Sequence, residues 1–196
     1  DGSQSIGILG LAYRTNTSGN LVVNEFGTLT GQGDISVKNA GNITAKGDSS
    51  VGIYVQNNDN RSSGTRTSHN IESENTGTIT MTGGSTSIGM LGIDSTSLKN
   101  SGTIDQSATT AIKSVGMYGT ITGNTETSST NINNTGKIYT GTSTQSNRSI
   151  GIFSDVNSVN IINNGIIASD KTLSGGDFSY GISGHNITLQ NNSDIT

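Results

Sequence analysis

Apolar residues in this chain fall at even offsets around a recurring unit, Asn-x-Gly-x-Ile. The unit reads Asn39–Ile43, Asn75–Ile79, Asn100–Ile104, Asn134–Ile138 and Asn163–Ile167. Asn191–Ile195 has Ser193 in place of the Gly, and Glu25–Leu29 has Glu in place of the Asn. Four residues before the Gly position stand Val23, Val37, Ser73, Leu98, Ile132, Ile161 and Leu189. Six before it stand Leu21, Ile35, Ile71, Thr96, Thr130, Val159 and Ile187. A period of two means an extended chain with one face turned inward. The Asn shares that inward parity, so it is read as a corner residue that hydrogen-bonds turn backbone and stacks on the Asn of the next coil.

A second unit alternates with the first. It is Ser, an apolar residue, Gly, then Ile or Met: Ser5–Ile8, Ser50–Ile53, Ser87–Met90, Ser114–Met117, Ser149–Ile152 and Ser179–Ile182. The shortest full cycles are near 25–30 residues, which suits one coil of three short strands and not the tight turns of a hairpin sheet. The expected fold is all-β: a right-handed parallel β-helix of about six to seven coils, forming a single unit over residues 1–196. Polar inserts near 56–69 and 119–129 leave the cycle at the same point, and repeat-protein inserts map to loops on one face.

Around the second unit's Gly, apolar flanking residues predict an inward pair, with the Gly itself facing out. The position two beyond the Gly then also faces out, giving a stripe of Leu9, Tyr54, Leu91, Tyr118, Phe153 and Ser183. An exposed apolar strip marks an interaction site. With Arg61, Arg66 and His69 of the first insert, the five apolar members of this stripe are the candidate binding residues.

Composition sharpens this reading. Ser, Thr, Asn and Gly number 29, 28, 23 and 28 of 196 residues, and only 29% of the chain is hydrophobic. One thick core is excluded, whereas a thin stacked core needs few aliphatics. Disordered chains are poor in β-branched residues, yet Ile outnumbers Leu 23 to 8. The absence of Pro suits uninterrupted ladders, and the absence of Cys removes disulfides and thiolate metal sites. A net charge of −4 with scattered Lys and Arg argues against nucleic acid, which asks for clustered positive charge.

No stretch of about 18 apolar residues offers a spanning helix, and no signal peptide is visible. Opening at Asp1 in mid-pattern, the chain reads as an excerpt of something longer.

Catalytic chemistry finds no constellation. Glycoside cleavage needs two carboxylates at a defined separation, but Asp94 and Asp155 fall out of register and Asp105 stands alone. His185 and the fragment Gly175-Gly176-Asp177 are isolated, and Thr78-Ile79-Thr80 does not recur at matching positions. No catalytic residue, metal site or cofactor is expected.

The alternation of Ser-Ile-Gly-Ile/Met-aromatic with Asn-x-Gly-x-Ile, without Cys, resembles the passenger domains of large Gram-negative type V autotransporter adhesins of the fusobacterial type. The resemblance runs from Ser5 to Ile195. It implies export to the cell surface and outer-membrane anchoring through a C-terminal barrel outside these residues. It also implies a rod that meets host-cell proteins, glycans or other bacteria. The alternatives are a pure spacer or a polysaccharide-active β-helix. Glu25, Ser193 and the 56–69 insert depart from the repeat.

Overall fold

The structure is a computed structural model of the chain. It describes residues 5–12, 34–57, 70–82, 86–107, 113–122, 129–140, 148–155, 159–168, 179–185 and 187–196. Among these, every regular element is a strand. The first coil holds β1 (Ile6–Ala12), β2 (Ile35–Asn39) and β3 (Asn42–Ala45). The second holds β4 (Ser50–Asn57), β5 (Ile71–Asn75) and β6 (Thr78–Met81). The third holds β7 (Thr86–Ile93), β8 (Ser97–Asn100) and β9 (Thr103–Asp105). The fourth is β10 (Lys113–Thr120), β11 (Thr130–Asn134) and β12 (Lys137–Tyr139). The fifth is β13 (Arg148–Ser154), β14 (Val159–Asn163) and β15 (Ile166–Ala168). The sixth is β16 (Ser179–Gly184), β17 (Ile187–Asn191) and an isolated bridge from Ile195 to Ile167.

Each strand pairs in parallel with the third strand before and after it, so the chain winds as a parallel β-helix. The first sheet is β1-β4-β7-β10-β13-β16, the second β2-β5-β8-β11-β14-β17, and the third β3-β6-β9-β12-β15. Six coils are described. The extra turn expected around Gly27, and with it Glu25–Leu29, lies outside the described residues.

Equivalent residues stack as the repeat requires. Ile43, Ile79, Ile104, Ile138, Ile167 and Ile195 form one column, and Ile79, Ile104 and Ile138 are fully buried within it. The Asn residues form a second. Nδ2 of Asn39 donates to Oδ1 of Asn75 at 2.8 Å, and the relay continues through Asn100, Asn134, Asn163 and Asn191. The Nδ2 groups of Asn39, Asn75, Asn100 and Asn163 also reach the glycine carbonyl two residues on, as Asn163 does to Gly165 O at 3.0 Å. Each buried amide therefore finds donor and acceptor partners within its own column, which removes the cost of burying it unpaired.

The glycine of that corner is fixed by crowding. A Cβ on Gly77, Gly102, Gly136 or Gly165 would strike the carbonyl oxygen of the glycine one coil earlier. No side chain fits where backbones approach so closely.

One predicted inward position is displaced. Thr96 is half-buried, and its Oγ1 lies 2.6 Å from Asn70 Oδ1 and 3.0 Å from Ile71 O. Ser95 is the fully buried residue instead. The cause is local: Asp94 has φ 51°, a left-handed step that shifts the parity of the chain entering β8.

Candidate functional site

The first sheet carries the longest strands and the only aromatic pair among the described residues, Tyr118 with Phe153. Its path through the Ser-apolar-Gly unit differs from strict alternation. In β7, Ser87 is buried, Ile88 half-buried, Gly89 and Met90 both buried, and Leu91 half-buried. Two consecutive residues, Gly89 and Met90, thus turn inward. A Cβ on Gly89 would collide with Cγ2 of Ile104 and approach Gly116 O to 2.6 Å. The same holds for Gly52 against Ile79, Gly116 against Ile138 and Gly151 against Ile167.

This corrects the expectation that the Gly faces out and that both its neighbours face in. The Gly faces in, because it makes the space that the column isoleucine fills. The residue before it lies on the other side of the sheet, half-buried at Ile88 and Ile150 but buried at Val51 and Val115. The residue after it packs into the central column, where Ile53, Met90, Met117 and Ile152 are fully buried.

The outer face of the first sheet therefore has two apolar columns. The expected one is aligned in register: Leu9 beside Tyr54, then Leu91, Tyr118, Phe153 and Ser183. The second, missed by sequence reasoning, is Ile6, Val51, Ile88, Val115, Ile150 and Tyr180. Its exposure runs from 9% at Val51 and Val115 to 46% at Ile6 and 50% at Tyr180. The signal that could have found it is the preceding Ser. Ser5 Oγ lies 2.9 Å from Ser50 Oγ, and Ser114 Oγ lies 2.9 Å from Ser149 Oγ. With those hydroxyls facing inward, the next residue must face outward.

The aromatic members are held in place. Tyr118 and Phe153 lie with ring centroids 5.2 Å apart, tilted at 42°. The Tyr118 hydroxyl donates to Asp155 Oδ2 at 2.6 Å, and that of Tyr54 to Gln56 Oε1 at 2.5 Å. Burial first, and then the Asp155 carboxylate that accepts its hydrogen bond, push the pKa of the Tyr118 hydroxyl up to about 12 from its ordinary 10.0. Arg61, Arg66 and His69 lie outside the described residues, so the structure does not place them beside the stripe.

The carboxylates have structural partners. Asp94 is buried and accepts from the Thr122 N–H at 2.7 Å and from the Thr122 hydroxyl at 2.5 Å. It thereby anchors the start of the 119–129 insert to the coil before it. Asp105 accepts from the Ser107 N–H at 3.1 Å and from its hydroxyl at 2.6 Å. Both polar inserts follow strands of the first sheet, β4 and β10, at the passage to the second sheet. Among the described residues no group of three His, Asp or Glu side chains could hold a metal ion.

Comparison with protein-family models, with curated proteins and with solved structures gives no match to this chain.

Proposed function

We propose that this chain is a non-enzymatic segment of a cell-surface adhesin, a stiff rod whose first sheet presents a binding face. The observation that carries this reading is the pair of apolar columns on the outer side of that sheet. A solvated sheet face normally alternates to polar residues, and contiguous apolar patches of this kind mark interaction sites. Tyr118 and Phe153 add pre-organised aromatic area, since their stacking and the Asp155 bond hold the rings before any partner arrives. The partner would be a host-cell protein or glycan, or another bacterium. In this reading the parent protein is exported to the cell surface and anchored in the outer membrane by a C-terminal barrel.

Binding of labelled host cells or bacterial cells to the immobilised chain tests the proposal. Tyr118→Ser with Phe153→Ser should reduce capture at least several-fold, because aromatic anchors dominate such interfaces. A double variant that folds and captures cells as well as the parent sequence would reject the face. A chain that captures no cells would instead be the rod's spacer.

A further inference from the structure

The corner between the second and third sheets holds a groove, on the opposite side of the coil from the apolar face. Its volume is about 310 Å³, and it runs along the helix axis across the third to sixth coils. The floor is the bare glycine column, where crowding forbids side chains. One rim is Ser101, Thr135 and Asn164, and the other is Thr103, Lys137 and Ile166. These rim side chains repeat once per coil, about 4.8 Å apart.

The floor carbonyls of Gly102 and Gly136 are already engaged in the ladder. Gly102 O accepts from Lys137 N and Gly136 O from Ile166 N, both at 2.9 Å. The side-chain groups that can recognise a ligand stand on the rims. Thr135 Oγ1 makes only a long 3.4 Å bond to Asn100 O, and Ser101 Oγ a 3.5 Å bond to Asn75 O. Both hydroxyls keep lone pairs for an incoming donor. Asn164 Oδ1 accepts from Asn192 Nδ2 at 2.6 Å, which fixes the amide and leaves its own Nδ2 as a donor. Lys137 is exposed and has no ion pair among the described residues, whereas Lys38 and Lys99 face Glu74 and Glu72. Ile166 supplies a small apolar wall.

We infer that this groove binds an extended oligosaccharide lying parallel to the helix axis, with a sugar carboxylate on Lys137. Hydroxyl acceptors repeating at one-coil intervals match a chain of pyranose rings, whose hydroxyls donate and whose C–H faces can rest on Ile166. A single cation selects one acidic sugar among neutral ones. A polyanion such as nucleic acid needs many cations, and an added peptide strand needs a free sheet edge, which coil stacking consumes here. The site is independent of the apolar face.

Titration of the isotope-labelled chain with sialyllactose and with trigalacturonate tests it, using lactose and methyl-esterified trigalacturonate as neutral controls. One or both acidic sugars should shift the amide signals of Thr135, Lys137 and Asn164, and which one does so identifies the source of the carboxylate. Lys137→Gln should weaken binding about tenfold, the equivalent of one charge-assisted hydrogen bond. Thr135→Tyr should block the groove, and raised salt should weaken binding. Tyr118→Ser should leave it unchanged. The inference fails if neither acidic sugar binds, if neutral sugars bind equally well, or if folded Lys137→Gln binds like the parent. It fails equally if Tyr118→Ser abolishes binding, which would place the sugar on the apolar face.

Discussion

At the scale of the residue, Tyr118 shows how an outward side chain can be constrained without entering the core. Its hydroxyl donates to Asp155 Oδ2 and keeps its proton, and its pKa is raised to about 12. In the unfolded chain the phenol returns to about 10. A raised folded pKa means that the protonated form is the one the fold favours. That contribution is complete below pH 10 and is lost as pH climbs from 10 to 12. Ultraviolet titration of the folded chain should therefore show the Tyr118 signal ionising late. In Asp155→Asn that step should move to lower pH, because the carboxylate's repulsion of the phenolate is gone. Unchanged late ionisation in Asp155→Asn would leave burial alone as the cause. The exposed pairs contribute less. Lys38–Glu74 at 3.1 Å and Lys99–Glu72 at 3.9 Å join half-exposed side chains, and such pairs add little stability.

At the scale of the element, the two sequence units are two halves of one packing device. Gly89 in β7 is empty of side chain because Ile104 in β9 fills that space. Gly89→Ala should destabilise the chain by about 1–3 kcal/mol, the usual cost of forcing atoms into a packed core. Ile104→Ala alone should cost about 2–5 kcal/mol through the cavity it leaves. Combined, they should cost less than the sum, since each removes part of the other's defect. Rescue should be incomplete, because the added Cβ also faces the Gly116 carbonyl at 2.6 Å. Urea unfolding of the four proteins measures the coupling, and strict additivity would separate the two units.

This coupling marks the limit of what the sequence disclosed. The Ile and Asn columns were legible because their strands alternate strictly, so parity alone assigns each side. At Gly89–Met90 two successive residues face inward, and no period-two rule can cross that point. The outer column of Ile88 and Ile150 was consequently assigned to the core. Thr96 was misplaced for a similar reason, through the left-handed Asp94. The polar groove left no apolar signal to read. It exists because glycines stack beneath hydroxyl rims, a relation between coils that a linear pattern does not display.

At the scale of the whole molecule, stability is a sum over coils and the interfaces between neighbours. Any coil whose columns match should therefore be removable. Deleting residues 50–86 joins Ser49 to Ser87, which pairs in register with Ser50. Leu91 would then lie beside Leu9, Asn100 beside Asn39, and Ile104 beside Ile43. These three columns keep their chemical kind across the new junction, although Lys38 comes to lie beside Lys99 once Glu74 is removed. The shortened chain should remain a β-helix by circular dichroism and unfold cooperatively. Its denaturant slope should fall by about a fifth, in proportion to the 37 of 196 residues removed. Deleting residues 71–81 alone removes a strand from the second and third sheets but not from the first. The columns then cannot close around the axis, and that variant should lose its cooperative transition. If the whole-coil deletion also failed to fold, stability would reside in a particular coil, and the stack would not be the interchangeable series that its ladders describe.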